Sequence, residues 1–261
     1  MTDLLRVKDK NFVVMGVANE RSLAWGGVAK SLHQAGANLI FTYRKERSLS
    51  KLTKLLEKTE IDAKLVVECD VNSDESIQEA FSKIGEQVSV IHGGVVHSIA
   101  FANSEDLKNS FVNTSREGYA FAQDTSAYSL IAVAREAQPL MSEGGSIIAM
   151  SYLGAERVVE GYNVMGVAKA ALESTVKYLA MDLGSLNIRV NAISAGAIKT
   201  LAAKGVPSFN EILHKIEETA PLKRNVTQSE VGDMSLAMLS DLSRAVTGEI
   251  VYVDSGYNIL G

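Results

Sequence analysis

Tyr162 and Lys169 stand seven residues apart, and Tyr152 stands ten residues before Tyr162, all within SYLGAERVVEGYNVMGVAK from Ser151 to Lys169. Seven residues make close to two helical turns, so the spacing predicts one helix with Tyr162 and Lys169 on one face. A phenol and an ammonium on one face suit a particular task. The cation favours the phenolate-like form, and the phenol donates a hydrogen bond or a proton to an oxygen that gains charge. Tyr152 falls just after a predicted strand, where a doubly wound sheet presents its ligands. Taken alone, Tyr-x6-Lys is better read as a half-buried helix tyrosine and a solvated surface lysine. The neighbouring motifs reverse that reading.

The run Gly16-Val-Ala-Asn-Glu-Arg-Ser22-Leu23 follows one predicted strand and opens a predicted helix, the context of a phosphate site. Gly16 tolerates the positive φ of a tight turn. Ser22 is a candidate N-cap whose hydroxyl and neighbouring N–H groups would face a pyrophosphate. The glycine spacing is not GxGxxG, so an ordinary strand-to-helix turn competes with this reading. At the end of the second predicted strand an acidic residue would grip the ribose 2′-hydroxyl of NAD. The chain has Phe41-Thr-Tyr-Arg44-Lys45-Glu-Arg47 instead. Two adjacent cations suit a 2′-phosphate, which predicts NADPH over NADH. A basic cluster at a helix N-terminus also runs against the helix dipole, so a merely solvated helix start explains it less well.

Asp70 and Val71 follow the third predicted strand, where an adenine would lie; Asp70 is equally a candidate N-cap for the next helix. His97-Ser98-Ile99-Ala100-Phe101-Ala102-Asn103 follows the fourth. Its small residues let a ribose and nicotinamide approach the backbone, and its apolar ones suit a fatty chain. His97 has no carboxylate partner visible in the sequence. His33, His92 and His214 fall in helices or loops, and no spacing suggests a metal site.

These groups need elements to hold them. Short runs rich in Val and Ile predict seven strands, at Phe12–Gly16, Asn38–Thr42, Lys64–Cys69, Val90–Val96, Ser146–Met150, Arg189–Ile193 and Ile250–Val253. Helical patterns near 23–35, 46–58, 74–86, 117–138, 162–183 and 229–240 alternate with them. That alternation predicts βαβ units and a single α/β domain over residues 1–261, a doubly wound Rossmann-like fold with a seven-stranded parallel sheet flanked by helices. A flavodoxin-like sheet is the competing architecture. The 261 residues include 46% hydrophobic ones and three prolines, enough for a sizeable core and against disorder. A net charge of −5, with basic residues spread along the chain, argues against nucleic-acid binding. One cysteine, Cys69, rules out an internal disulfide and suits a reducing cytoplasm. No signal-peptide pattern and no apolar run of roughly 18 residues is present, so no membrane span is expected.

Over nearly its whole length the chain resembles the bacterial enoyl-acyl-carrier-protein reductases of the FabI type, a branch of the short-chain dehydrogenase/reductase superfamily. The resemblance rests on GVANERSLAWG, FTYRKER, HSIAFAN, TSREGY, AYSL, EGGSI, SYLG, YNVMGVAKAALE, IRVNAISAGAIKTLAAKG, APLKRN and TGEIVYVDSG. YNVMGVAKA discriminates best. Ordinary short-chain reductases carry Tyr-x3-Lys, whereas Gly166 stands four residues after Tyr162 here. FTYRKER is similar to the NADPH-preferring Gram-positive members. The resemblance implies NADPH-dependent reduction of the trans-2 double bond of an enoyl thioester on acyl carrier protein, the last step of fatty acid elongation, with hydride going to the β-carbon. It implies that Tyr162 hydrogen-bonds the thioester carbonyl, that Lys169 holds the nicotinamide ribose, and that Tyr152 shapes the pocket and contacts substrate. It implies cofactor contacts from Gly16, Ser22, Leu23, Asp70, Val71, Ile99 and the run Ile198, Lys199, Thr200, Leu201, Ala202, with Arg44 and Lys45 on the 2′-phosphate. Ala102 would line the substrate pocket, residues 198–210 would form a substrate-binding loop, and the assembly would be a cytoplasmic homotetramer.

The chain departs from that pattern in places. Gly26-Gly27 and His92-Gly93-Gly94-Val95-Val96-His97 each hold one residue more, both flanking the expected cofactor site. An extra residue rotates a helix face or shifts a strand register unless a bulge absorbs it. Ala197 replaces a proline, Lys199 an arginine and Leu23 an isoleucine. Two other readings stay open at this level. One is a ketoreductase, against which the missing Tyr-x3-Lys speaks. The other is a nucleotide-binding scaffold without turnover, against which Tyr152, Tyr162 and Lys169 speak.

Overall fold

The computed structural model describes residues 4–200 and 209–260. Seven parallel strands form one sheet in the order β3-β2-β1-β4-β5-β6-β7. They are β1 (Asn11–Met15), β2 (Asn38–Tyr43), β3 (Ala63–Glu68), β4 (Gly94–His97), β5 (Gly145–Ser151), β6 (Ile188–Ala195) and β7 (Ile250–Val253). The helices are α1 (Lys30–Gln34), α2 (Glu46–Glu57), α3 (Asp74–Val88), α4 (Ser104–Lys108), α5 (Arg116–Gln123), α6 (Ser129–Ala137), α7 (Asn163–Leu183), α8 (Phe209–Thr219) and α9 (Gln228–Leu239). This is the expected doubly wound Rossmann-like architecture. The strand order reverses between β1 and β4, so the ligand crevice is set at their carboxyl ends.

Alternation along each strand divides the core into two layers. Val13, Met15, Val95, Ile147 and Ala149 face one way, against Phe81 of α3, Val133 of α6 and Leu172 and Val176 of α7. Phe12, Val14, Val96, Ile148 and Met150 face the other way, against Trp25, Val28, Leu32, Leu52 of α2 and Met238 of α9. Strands covered on both faces need no polar side, which is why they read as continuous apolar runs.

Two helices depart from the expected continuous form. Ahead of α1, residues Ala24–Ala29 wind as a π-helix. A π turn holds one residue more than an α turn, so the surplus of Gly26-Gly27 is absorbed where it arises and α1 keeps its buried face. The stretch expected as one helix over 117–138 is α5, a π turn at Asp124–Tyr128, and α6.

The second surplus is absorbed differently. The strand expected from Val90 begins only at Gly94. Before it, Ile91 N–H donates to Leu140 O (2.7 Å), Gly93 N–H to Asn11 O (3.0 Å), and Gly93 O accepts from Ser146 N–H (3.1 Å). A Cβ on Gly93 would lie 2.2 Å from the Phe12 ring, and one on Gly94 1.9 Å from Ser146 O. The two glycines let the chain enter between β1 and β5, after which Phe12↔Gly94 through Met15↔His97 pair in register. This insertion lies at the amino end of β4, so it does not flank the cofactor crevice as the sequence suggested.

Candidate active site

Tyr152 follows the last residue of β5, as expected, and Tyr162 caps α7 rather than lying within it. Tyr162 sits between two left-handed residues, Gly161 at φ 73° and Asn163 at φ 41°. The Asn163 amide donates to the Leu107 carbonyl (3.0 Å) and the Asn109 carbonyl (2.8 Å), so it ties the start of α7 to the end of α4. Strained backbone of this kind persists only where its surroundings fix it. The Tyr152 and Tyr162 rings meet edge to face with centroids 5.0 Å apart. A notch receives the Tyr162 ring: a Cβ on Gly154 would lie 2.4 Å from it. Gly166 completes the notch, because a Cβ there would come within 2.7 Å of Gly154 O. No lysine fits at the fourth position after Tyr162, so the cation has to come from further along the helix.

Lys169 supplies it. Its side chain is only 4% exposed, and Nζ donates to Met150 O at 2.6 Å. The solvated-lysine reading therefore fails. Burial lowers the Lys169 ammonium to about 8, against the opposing pull of Glu173. Burial also pushes Tyr162 well above the ordinary phenol range, with Tyr152 and the Glu173 charge adding to it. Burial raises Tyr152 to about 12. The expectation that the cation would favour a phenolate is thus corrected. Every cause acting on Tyr162 raises it, so it is a neutral phenol at pH 7, a hydrogen-bond donor.

The crevice between β1 and β4 carries the turn residues. Gly16 has φ 90°, and a Cβ on it would lie 1.9 Å from Ser98 O, so only glycine allows the β1 turn to pass the end of β4. Ser22 does not cap the helix through its side chain. Leu23 is the capping residue, and the Ser22 hydroxyl donates to Asn19 O (2.7 Å). The first N–H groups of such a helix have no intrahelical partner and favour an anion. In the same turn the Asn19 side-chain nitrogen is buried without a partner. An unsatisfied donor beside a helix start fits a pyrophosphate.

Arg44 and Lys45 are exposed after β2. Arg44 Nε donates to Asp70 Oδ2 at 2.8 Å. Two expected cofactor contacts therefore bind each other. Burial would raise Asp70, but the Arg44 and Asn72 hydrogen bonds hold it below its usual range. Asp70 caps no helix, since Ser73 accepts from Ser76 N–H and starts α3. Val71, directly after Asp70, is buried against the core. Ile99 and Ala102 lie partly exposed beyond β4. The hydroxyls of the second π turn and α6 hold this segment. Ser126 accepts from Phe101 N–H (3.0 Å), Thr125 donates to Asn72 Oδ1 (2.6 Å), and Ser129 bonds His97 Nε2 (2.8 Å). His97 is fully buried and depressed to about 3, chiefly by burial, so it is neutral. Ile198, Lys199 and Thr200 follow β6 at the same sheet edge. Ala197, in place of a proline, is buried against Leu213 and Ile216 of α8. Leu201, Ala202 and most of the expected loop at 198–210 lie outside the described residues.

A neutral phenol and a buried ammonium at the end of β5, one strand from a β1 turn suited to an anion, have the chemistry of a nicotinamide-type reductase site. The family model described as Enoyl-(Acyl carrier protein) reductase matches residues 16–258. The chain belongs to that family. It is 59% identical to the FabI enoyl-acyl-carrier-protein reductase [NADH] of Bacillus cereus, over 98% of this chain and 99% of the relative. It is also 59% identical to the [NADPH] FabI of Staphylococcus aureus, over 98% and 100%. The Bacillus cereus enzyme solved with NADP+ and indole naphthyridinone superposes with a TM-score of 0.95 at 59% identity, covering 98% of each chain. The Aquifex aeolicus reductase (NADH) gives 0.92 at 45% identity, again covering 98% of each.

The chain is thus an enoyl-acyl-carrier-protein reductase of fatty acid biosynthesis, and the notch at Gly154 and Gly166 is the physical counterpart of the family's Tyr-x6-Lys spacing. Beside the enoyl reductase family's expected residues stand groups that sequence reasoning passed over: Asn19, Asn163, Ser151 and Glu173. Glu173 was findable, since it stands one helical turn beyond Lys169 on the same face. The other three lie in a turn or at the ends of β5 and α7, where no periodicity marks them.

Proposed function

We propose that the enzyme reduces the trans-2 double bond of enoyl-acyl-carrier-protein thioesters with a preference for NADPH. The observation that carries this reading is that Tyr162, against the Tyr152 ring, and the buried Lys169, against the Met150 carbonyl, are both ranged on the carboxyl end of β5, one strand from the β1/β4 switch point. Bound NADPH supplies a hydride for the β-carbon. Negative charge then gathers on the thioester oxygen, and Tyr162 donates a hydrogen bond to it. Lys169 holds the ribose hydroxyls and sets the local potential, while Tyr152 packs on Tyr162 and closes the pocket wall with Ala102. Gly16, Asn19, Ser22 and Leu23 cradle the pyrophosphate. Lys45, which has no acidic partner of the kind that engages Arg44, is the cation offered to the 2′-phosphate, with Arg44 joining once it leaves Asp70.

NADPH oxidation by the purified protein tests this, with a short trans-2-enoyl thioester run beside NADH and beside a β-ketoacyl thioester. Loss of NADPH with the enoyl substrate alone is expected. Equal rates with NADH would refute the cofactor preference, and turnover of the keto substrate would restore the ketoreductase reading. We further propose a cytoplasmic homotetramer. The buried, unpaired Cys69 suits a reducing compartment, and α7 shows an outward stripe of Ala170, Ser174, Tyr178 and Met181 suited to a partner copy.

A further inference from the structure

Three consecutive residues at the end of β5 each engage α7. Met150 offers its carbonyl to Lys169 Nζ (2.6 Å), Ser151 Oγ donates to Glu173 Oε1 (2.5 Å), and the Tyr152 ring packs against Tyr162. Lys169 and Glu173 are one turn apart and 4% and 7% exposed. They form no direct ion pair within 4 Å; each is tied instead to the adjacent β5 residue. A carboxylate is costly to bury unless its partners hold it, and the function derived so far leaves this one unused.

We propose that Glu173 is a positioning residue for the reduction: through Ser151 it fixes the end of β5 that carries Tyr152, and through its charge it keeps Lys169 an ammonium beneath Met150. The proposal rests on the roles given above to Tyr162 and Lys169. The chemistry requires a cation in a pocket that strips it of water. The Met150 carbonyl satisfies one of the three ammonium donors but brings no charge. Glu173 brings the charge without occupying the crevice; burial raises its carboxyl, and the hydrogen bond from the Ser151 hydroxyl works against that rise in favour of the carboxylate. The other charged and titratable groups near the pair are Lys177 on α7, Glu156 after β5, Tyr162, Tyr252 of β7, and His97 of β4, which is neutral. Lys177 and Glu156 oppose one another in their effect on Glu173, which leaves Glu173 as the charge that favours the Lys169 ammonium.

The test is the pH profile of kcat/KM for NADPH in wild type, Glu173→Gln and Lys169→Met. Glutamine still accepts from Ser151 but carries no charge. The alkaline limb of Glu173→Gln should move to lower pH by about one unit, the scale of a nearby opposite charge, with near-normal turnover on the acid side. A limb that stays in place, with only thermal stability lowered, would reduce Glu173 to a structural role and overturn the proposal. Lys169→Met should weaken NADPH and abolish the limb. If it does neither, the reading of Lys169 fails, and the Glu173 proposal with it. Where Glu173→Gln does not fold, Ser151→Ala probes the same tie: about a tenfold fall in kcat, the cost of a loosened reacting group, with KM for NADPH held, supports it, and unchanged kcat refutes it.

Discussion

At the scale of single residues, the site works by desolvation. Tyr162 remains a phenol because burial raises it, with the neighbouring Tyr152 and Glu173 acting in the same direction. A group that starts neutral and meets charge only when the thioester oxygen develops it stabilises the transition state more than the ground state. Tyr162→Phe should therefore lose roughly a hundredfold or more in kcat, while the dissociation constant for NADPH, read by fluorescence titration, stays within about twofold of wild type. Lys169 runs the opposite way. Burial lowers it to about 8, so its ammonium is present below that pH and lost above it. Turnover should be flat from neutrality to about pH 8 and fall beyond, which a pH series at saturating enoyl thioester would show. At the end of β2 the tie between Arg44 and Asp70 leaves Lys45 the readier cation. Replacing both Arg44 and Lys45 with glutamine should raise KM for NADPH about tenfold or more, the loss of one or two charge-assisted bonds, and leave KM for NADH nearly unchanged. An unaltered ratio would remove the pair from 2′-phosphate binding. The mixed NADH and NADPH names among close relatives show that this position has to be measured in each protein.

At the scale of elements, the fold accommodates surplus residues where glycine lets it. The π turn at Ala24–Ala29 presses against α9, where a Cβ on Gly27 would lie 2.5 Å from Gln228 O and 3.2 Å from Gly232 N. Both neighbours are backbone and have no rotamer to change. Gly27→Ala should cost about 1–3 kcal/mol, seen as a lowered unfolding midpoint. It should also weaken NADPH, because the helix that is displaced begins at the pyrophosphate turn. A similar substitution at Gly184, with no atom within 4 Å of its Cβ position, should do neither. Much of this was legible beforehand. Apolar runs located all seven strands because both faces of a parallel sheet are covered, and the Tyr-x6-Lys spacing marked the first two turns of α7, although Tyr162 caps that helix rather than lying within it. The amino-terminal boundary of β4 was not legible, because Val90 and Ile91 continue the apolar pattern although the ladder begins only at Gly94. The π turn inside 117–138 was hidden for a similar reason: its helical periodicity persists while Thr125, Ser126 and Ser129 turn inward to hold the site loops. The Arg44–Asp70 pair joins residues 26 positions apart and needed the sheet to bring them together.

At the scale of the whole molecule, α7 has two jobs on two faces. Its inner face carries Lys169 and Glu173 against β5 and Leu172 and Val176 against the core. Its outer face leaves Tyr178 75% and Met181 83% exposed, in line with Ala170 and Ser174. Large apolar side chains rarely stand in a row on a monomer surface, and small residues between them let a second helix approach closely. If a partner copy covers this stripe, the assembly clamps the helix that positions the reacting groups, and activity depends on association. Tyr178→Glu combined with Met181→Lys should then split the tetramer, since a charge buried in an interface is costly unless it is paired. Light scattering would read a smaller species, and kcat should fall along with it although no site residue has changed. A wild-type protein that is monomeric at working concentration would refute the assembly. A variant that dissociates yet keeps full turnover would show that the β5 contacts through Met150, Ser151 and Tyr152 are enough to hold α7 alone.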